Sequence, residues 1–462
     1  MLLSMGLARQ AAADGCEARW LSDESRVGAN GIVRVLTPSP DGPFLYAGGE
    51  FTEIGGVSAN RIARFDGHAW APLGSGFDGT VWTIAVLDLG TGPTLYAGGD
   101  FTFSGSTAIA HVAQWDGEAW SAVGTGTNGG VYALASYQTG VLTSLYAAGQ
   151  FTQAGDVSVS NIAKWDGAGW SAVGAGVTGA PVSLVRALAV YDSGNGPELV
   201  AAGLFTSPAK NIARWNGSAW LALTTGVSGT ANTLLTWDGG SGNALYVGGF
   251  FTSAGSVTDT VRIARWNGSA WSALGQGLRD EPVNALAGLQ DGNGPALYAG
   301  GQFTFAGTLS TRRVARWDGS SWSALGASLQ DDDSDPCWCG EPFCDCGPRP
   351  AVVHVMAAYR GLVYVGGDFT HVECDLTADL ARWGCQPSYT VPADFDWDGV
   401  VDGDDVLFFE SCATGPTLQT IEPCCEPADL NNDGSVDLID FAMLQRCLTL
   451  DPGSAPLPGC QD

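Results

Sequence analysis

The sequence predicts an all-β protein: a seven-bladed β-propeller, followed by a small α-helical domain. The main observation is a repeated phrase, Gly-Gly-x-Phe-Thr, which occurs at 48–52, 98–102, 248–252, 300–304 and 366–370, with looser copies around Phe151 and Phe205. The seven copies lie roughly 50 residues apart, a period that accommodates four short strands and is typical of propeller blades.

The repeat unit at 283–325 illustrates the four strands that the sequence predicts in each unit. Residues 283–287 and 296–301 alternate apolar with other residues, as half-buried strands do. Two further strands, 313–317 and 322–325, are joined by Asp318-Gly319-Ser320-Ser321, in which Asp-Gly suits a tight hairpin. We therefore expect each unit to form one four-stranded antiparallel blade.

Two tryptophans recur in the outer hairpin of five units. We expect them to bury flat surfaces between neighbouring blades, although stacking on a ligand is the alternative reading. The pairs are 115 and 120, 165 and 170, 215 and 220, 266 and 271, and 317 and 322.

The last unit stops after Trp383 without a fourth strand, and the segment 16–21 has the pattern of the missing strand. Pairing of the N-terminal strand with the last blade closes a ring and hides two strand edges. The same pairing places Cys16 and Cys385 in one hairpin turn, where a disulfide is expected if the Cα atoms approach to about 6 Å.

Composition limits the classes of partner. The net charge is −28 with only 20 Lys and Arg residues, which argues against nucleic acid and anionic membrane as partners. No apolar run is long enough for a transmembrane segment. Residues 1–15 resemble the remnant of a secretory signal peptide, so we expect a secreted or cell-surface protein.

Twelve cysteines favour an oxidising compartment. Seven lie in the predicted propeller, 16–386, and five lie in the tail, so neither set can pair off completely: either a disulfide links the two domains or each carries a free thiol. Four of them, Cys337, Cys339, Cys344 and Cys346, belong to an insertion at 331–350. Zinc is one reading of that cluster, but its Cys-x-Cys spacing is tighter than that of most structural zinc sites, and we favour disulfides.

Two acidic loops follow a linker at 387–392 and predict a calcium-binding domain at 393–462. Each loop places oxygen-bearing residues at the spacing of a twelve-residue loop that wraps Ca²⁺, with glycine at position 6 for the sharp turn, and each leads into an apolar helical stretch. The expected ligands are Asp394, Asp396, Asp398, the carbonyl of Val400, Asp402 and Asp405, and then Asp429, Asn431, Asp433, Ser435, Asp437 and Asp440.

This tail resembles a type I dockerin, a bacterial module in which two such loops precede helices and which docks on a cohesin domain. Both loops carry aspartate at position 12, at Asp405 and Asp440, and Cys412 and Cys447 follow at equal distances, as in dockerins of planctomycete-type bacteria. The resemblance implies two calcium ions and a cohesin-like or other protein partner. Positions 10 and 11, where cohesin choice is made, are Gly403-Asp404 and Leu438-Ile439.

The blade repeat is similar to that of fungal cortical polarity markers and related bacterial kelch-like proteins. The shared motifs are Gly-Gly-x-Phe-Thr, Ile-Ala-x-Trp and Trp-x-x-Leu-Gly, and they cover nearly all of 16–385. The resemblance implies architecture and leaves the ligand open, because propellers serve many functions.

One position varies within otherwise repeated sequence and predicts a ligand site. The second residue of the innermost strand, the x of Val-x-Ala-Leu, is never a core aliphatic: Arg34, Trp82, Tyr132, Arg186, Asn232, Asn284 and His354. A ring of these side chains at the channel mouth suits a polar, partly stacking ligand such as a glycan or peptide. Solvated rim positions without a ligand are the alternative.

These features favour a non-enzymatic binding or scaffold protein. The residue before Phe-Thr also varies, and Glu50, Asp100 and Asp368 offer carboxylates for glycoside hydrolysis or lyase chemistry, so an extracellular carbohydrate-active enzyme is the alternative function. Nothing in the sequence pairs these carboxylates.

Overall fold

The computed structural model describes residues 19–21, 28–40, 42–67, 69–90, 92–139, 142–179, 181–291, 294–311, 313–325, 351–369, 379–384, 406, 409, 430, 436 and 438–447. The segments predicted as signal remnant, cysteine-rich insertion and linker lie outside these residues, as does every cysteine except Cys447. Contacts divide the chain into two units. One comprises Trp20–Gln290 and Pro295–Trp383, and the other comprises Met1–Arg19, Asp291–Gly294 and Gly384–Asp462.

The described strands form seven four-stranded antiparallel sheets, which we number 1 to 7 by the chain order of their innermost strands. The innermost strands are Val33–Pro38, Val81–Asp88, Val131–Thr139, Leu184–Asp192, Thr230–Asp238, Val283–Asp291 and Val352–Tyr359. The second strands are Leu45–Gly49, Pro93–Gly99, Leu142–Gly149, Pro197–Leu204, Asn243–Phe250, Gly294–Gly301 and Leu362–Asp368.

The outer hairpin of each sheet supplies its third and fourth strands. The third strands are Ile62–Phe65, Val112–Trp115, Ile162–Trp165, Ile212–Trp215, Ile263–Trp266, Val314–Trp317 and Leu380–Gly384. The fourth strands are Trp70–Pro72, Trp120–Ala122, Trp170–Ala172, Trp220–Ala222, Trp271–Ser272 and Trp322–Ala324 in sheets 1 to 6, and Arg19–Leu21 in sheet 7.

Neighbouring sheets meet along their innermost strands. The innermost strands of sheets 1 to 5 contact one another in succession, and that of sheet 7 contacts that of sheet 1. The Asn232 side-chain amide donates to the Val283 carbonyl and joins sheet 5 to sheet 6, while Asn284 donates to Val353 and joins sheet 6 to sheet 7. This ring of radially arranged sheets is a β-propeller.

The outer tryptophans pack between sheets. In each of the five predicted pairs the two rings lie 5.1–5.6 Å apart and are tilted by about 50°. The fourth-strand indole also donates a hydrogen bond to the preceding sheet, as from Trp120 to the Leu73 carbonyl at 3.0 Å and from Trp170 to the Val123 carbonyl at 3.0 Å. A buried indole N–H needs such an acceptor, so the spacing of the tryptophans fixes how neighbouring sheets dock.

Sheet 7 is composite, because its fourth strand comes from the N-terminal part of the chain. Trp20 is buried and lies edge-on to Trp383 at 5.2 Å, and its Nε1 donates to the Leu325 carbonyl of sheet 6 at 3.4 Å. Trp20 therefore repeats in sheet 7 the contact that the outer tryptophans make in the other sheets.

Short extra strands follow the Phe-Thr motif and are not evident from the sequence pattern. They are Glu53–Ile54 with Val57–Ser58, Phe103–Ser104 with Thr107–Ala108, Gln153–Ala154 with Val157–Ser158, and Phe305–Ala306 with Leu309–Ser310 and Leu278–Arg279. Sheet 4 carries no such pair among its described residues. The stretch from the Phe of the motif to the third strand, Phe205 to Ile212, is four residues shorter than the corresponding stretch of sheet 3, Phe151 to Ile162.

In the second unit the described helix is Leu438–Cys447, with Asp440 in its first turn. Asp440 and Leu444 are fully buried, and the rings of Phe409 and Phe441 lie 5.5 Å apart. No described helix has the length and apolar character that a bilayer crossing requires.

Candidate ligand-binding cavity

The seven variable residues of the innermost strands converge on one cavity of about 630 Å³. Arg34, Trp82, Tyr132, Arg186, Asn232, Asn284 and His354 all line it. Cavities of 300–1,000 Å³ are the usual size for small-ligand sites. The structure thus brings these side chains together, and their binding of a ligand stays a prediction.

A β-bulge directs these side chains to the cavity. In six of the seven sheets the pairing of the first two strands shifts register at the variable residue, as between Val185 and Ala187 around Arg186. A bulge leaves one residue unpaired and re-aims its side chain. In these six sheets the innermost strand therefore departs from strict alternation at the variable residue.

A repeated glycine makes room for the bulge. A Cβ atom on Gly203 would lie 2.2 Å from the Leu184 carbonyl oxygen and 3.1 Å from the Arg186 nitrogen. Gly49 stands in the same relation to Arg34. The glycine that precedes x-Phe-Thr is thus required for close backbone approach, which explains part of the sequence repeat.

Arg34 is fully partnered. Its Nη2 and Nε donate to one Glu50 oxygen at 2.6 and 2.9 Å, and its Nη1 lies 3.0 and 3.1 Å from the ring nitrogens of His354. Burial and then the Arg34 charge lower the pKa of His354 to about 3, so the imidazole is neutral and accepts from the guanidinium. The sheet 7–sheet 1 side of the cavity therefore carries a charge-balanced network.

Two aromatic side chains form the adjoining wall. Trp82 and Tyr132 meet edge to face at 5.7 Å, and the Arg34 guanidinium carbon lies 4.9 Å from the Trp82 ring centroid. The Trp82 indole donates to Asp100 at 2.6 Å. Burial, and secondarily the Asp100 charge, raise the pKa of Tyr132, so its hydroxyl keeps its proton at neutral pH.

The opposite wall presents amides. Asn232 Nδ2 donates to Asn284 Oδ1 at 3.1 Å, and Asn284 Nδ2 donates to the Val353 carbonyl at 3.1 Å. These hydrogen bonds fix the orientation of both amides, and the Asn232 side-chain oxygen is an acceptor.

Arg186 differs from the other six residues. It is the one member of the ring with an exposed side chain, and no hydrogen-bond or ion-pair partner for it occurs among the described residues. Solvent reaches the side chain through the cavity, yet the cavity walls displace part of the hydration of the guanidinium, and this desolvation lowers the pKa of Arg186. The sheet 4 side therefore carries a cation without a built-in counter-charge.

The second variable position determines the partner of the first. Glu50 forms an ion pair with Arg34, and Asp100 accepts a hydrogen bond from Trp82. The equivalent residue beside Arg186 is Leu204. Both variable positions were evident in the sequence, but their contacts within sheets 1 and 2 were not predicted. The signal was available, because each pair keeps a nearly constant separation, as from residue 34 to 50 and from 186 to 204.

Most of the expected calcium ligands lie outside the described residues. Asp394, Asp396, Asp398, Val400, Asp402, Asp405, Asp429, Asn431, Asp433, Ser435 and Asp437 belong to this group. Asp440 is described, and its carboxylate is fully buried at the start of helix Leu438–Cys447. Within the described part of the chain, no three His, Cys, Asp or Glu residues form a metal-binding group.

Three solved structures are similar to this chain: the WD40 β-propeller domain of Doa1 (12% identity, 81% of this chain and 98% of that chain, TM-score 0.48), Raptor from Chaetomium thermophilum (12%, 80% and 30%, 0.45) and BBS1N in complex with ARL6DN (10%, 80% and 98%, 0.44). At these values the likenesses say nothing about the ligand of this chain. No curated protein sequence matches it. The profile of a domain of unknown function, the DUF5122 β-propeller, matches residues 45–67, which span the second and third strands of sheet 1.

Proposed function

We propose that this protein is a secreted or cell-surface binding or scaffold protein. Its closed, seven-bladed propeller recognises a glycan or peptide in the central cavity, and a dockerin-like domain tethers it in a calcium-dependent manner. The observation that carries the proposal is the convergence of all seven variable inner-strand residues on one cavity of about 630 Å³.

The chemistry of the walls supports recognition of a polar ligand. Trp82 and Tyr132 offer aromatic surface for stacking, Asn232 offers an amide oxygen, and Arg186 offers a guanidinium. Such a mixture of aromatic surface with a few convergent polar groups is the usual composition of a small-ligand site.

Two of the three candidate catalytic carboxylates are engaged in other contacts. Glu50 accepts two hydrogen bonds from Arg34, and Asp100 accepts from the Trp82 indole. A carboxylate held by a cation or an indole shapes the cavity, whereas glycoside hydrolysis requires two carboxyl groups that face a common bond. This arrangement favours binding over the carbohydrate-active enzyme.

The two acidic loops and one structural feature support a calcium-dependent tether in the C-terminal domain. Asp440, position 12 of the second loop, is a buried carboxylate in the first turn of a helix. Burial of a carboxylate is costly unless a cation or hydrogen bonds compensate, so this residue suits a Ca²⁺ ligand. Two bound calcium ions would fold the loops, and a cohesin-like or other protein is the expected partner.

Binding is tested with the full-length protein in calcium buffer, applied to oligosaccharide and peptide arrays beside a polysaccharide turnover screen. We expect binding without turnover. Trp82→Ala should abolish it, and Asn243→Ala, at the far end of the second strand of sheet 5, should not. Turnover of any polysaccharide would contradict the proposed function, as would equal binding by both variants.

A further inference from the structure

The residues that precede Phe-Thr differ in chemistry from one side of the ring of sheets to the other. On the side of sheets 7, 1 and 2 the residues before Phe-Thr are Asp368, Glu50 and Asp100. On the side of sheets 4 and 5 they are Leu204 and Phe250, whose side chains are 41% and 49% exposed. Contiguous exposed apolar surface is a feature of interaction sites, and these two residues belong to neighbouring sheets.

The same geometry that joins Arg34 to Glu50 places Leu204 beside Arg186. The backbone nitrogens of Arg34 and Arg186 lie at the same 3.1 Å from the Cβ position of the glycine that precedes Glu50 and Leu204. In sheet 1 this geometry yields an ion pair at 2.6 Å. In sheet 4 the carboxylate is replaced by a leucine, so the Arg186 cation lies beside an apolar side chain.

Phe250 extends this apolar surface into sheet 5. The Arg262 guanidinium carbon lies 4.2 Å from the Phe250 ring centroid and covers one face of the ring. Val182, two residues before the innermost strand of sheet 4, is 44% exposed. Besides Arg186, Leu204 and Phe250, this part of the propeller therefore carries a further cation and a third exposed apolar side chain.

We propose that the cavity takes an acidic peptide segment, with a carboxylate on Arg186 and an apolar side chain against Leu204 and Phe250. This inference rests on the proposed binding function and names its ligand class. Charge complementarity supplies the anion, because Arg186 lacks a carboxylate partner among the described residues. Aliphatic and phenyl surface favours a peptide over a sugar, whose hydroxyls would lose hydrogen bonds against Leu204.

The test uses the full-length protein and a synthetic array of matched peptides, in which Asp/Glu is exchanged for Asn/Gln or Lys, and Leu/Phe for Ser. Neutral and uronate-containing oligosaccharides complete the array. We expect retention of peptides that contain both an acidic and an apolar residue, and loss of binding after either exchange. Binding should weaken steeply with added salt.

Three variants locate the site. Arg186→Gln should weaken binding of the acidic peptides by roughly tenfold or more, because their carboxylate loses its charged partner. Leu204→Glu introduces a carboxylate at the position that Glu50 holds in sheet 1. We expect it to form an ion pair with Arg186 and to weaken peptide binding by a similar factor. Arg214→Gln is the matched control, since Arg214 lies in the same sheet, pairs with Glu198 at 2.7 Å and does not line the cavity.

Thermal melts of all three variants separate loss of binding from loss of folding. Equal peptide binding by Arg186→Gln and the wild type would overturn the inference, as would a preference for neutral or basic peptides. Binding of oligosaccharides without peptides would overturn the peptide class and leave the proposed binding function standing. If neither peptides nor oligosaccharides bind, both the acidic-peptide inference and the proposed binding function are wrong.

Discussion

The Arg34 guanidinium donates from Nη2 and Nε to a single oxygen of Glu50, at 2.6 and 2.9 Å. Arg34 lies in the innermost strand of sheet 1 and Glu50 directly follows the second strand, and a β-bulge brings them together. In sheet 4 the same two positions hold Arg186 and Leu204. The same backbone geometry therefore gives an ion pair in sheet 1 and a cation without a carboxylate partner in sheet 4, depending on whether the residue before Phe-Thr is Glu50 or Leu204.

Neutralising Glu50 should destabilise the propeller. Glu50→Gln leaves Arg34, whose side chain is only 16% exposed, without its counter-charge, and we expect the free energy of unfolding to fall by about 1–2 kcal/mol. Denaturant titration measures the change. Glu118→Gln, at an exposed hairpin position, is the control and should stay within about 0.5 kcal/mol of the wild type. Equal effects in both variants would show that the ion pair contributes nothing to stability.

Asp379 should make the protein less stable as the pH rises. Burial raises the pKa of this carboxyl from 3.8 to about 7, so the folded state holds a proton that the unfolded state has lost. The unfolding free energy should therefore decrease between about pH 4 and pH 7 and stay lower above that range.

Asparagine is the natural replacement for Asp379, because Asn211 occupies the equivalent left-handed position of sheet 4. Its side-chain oxygen accepts a hydrogen bond from the Phe205 nitrogen, as that of Asp379 does from the Phe369 nitrogen. Asp379→Asn should stabilise the protein at pH 8 by about 1–3 kcal/mol and change little at pH 4. Asp259→Asn, at an exposed residue, should leave the pH profile unaltered. A wild-type profile in Asp379→Asn would exclude the buried carboxyl as its cause.

His354 should act in the opposite direction on the acid side. Its pKa is lowered from 6.5 to about 3, so between these values the imidazole binds a proton in the unfolded chain and stays neutral in the folded chain. Stability contributed by the neutral imidazole is then lost progressively as the pH falls from 6.5 toward 3.

Asparagine stands at the equivalent positions of sheets 5 and 6, so His354→Asn is the natural test. We expect it to flatten the pH dependence of the unfolding free energy between pH 6.5 and 3. His111→Asn, which places the residue of sheet 3 at the equivalent position of sheet 2, should keep the wild-type slope. An unchanged slope in His354→Asn would refute the assignment.

Trp20 should be essential for the integrity of sheet 7. Trp20→Ala removes a buried indole that packs on Trp383 and donates to Leu325, at an expected cost of about 3–5 kcal/mol. Deletion of residues 16–24 should go further and cause aggregation, because an unpaired strand edge is exposed. Deletion of residues 1–15 is the control. A wild-type melting temperature after deletion of 16–24 would disprove ring closure by the N-terminal strand.

Calcium should bind the C-terminal domain with a stoichiometry of two. Isothermal titration of the full-length protein, after removal of metal by a chelator, should show two sites, and circular dichroism should report folding of the tail as they fill. Asp440→Asn should weaken one site selectively, whereas Asp451→Asn, outside both loops, should weaken neither. Absence of calcium binding by the wild type would refute the dockerin-like assignment.

The sequence by itself determined the propeller fold and the set of cavity residues. Both follow from repetition: a period near 50 residues admits few architectures, and a variable residue inside an invariant motif is free of the packing that fixes its neighbours. The outer tryptophans were identified for the same reason, since a constant spacing such as Trp115 to Trp120 recurs only where the packing recurs.

The tertiary structure alone decided how those residues interact. The bulge at Arg186 depends on the backbone of a second strand, and the alternating sequence pattern hides it. The pairing of Arg34 with Glu50, the burial that shifts the pKa of Asp379, and the exposure of Leu204 each depend on atoms distant in the chain. Periodicity is a local property of the sequence, whereas desolvation and charge pairing arise when separate strands meet.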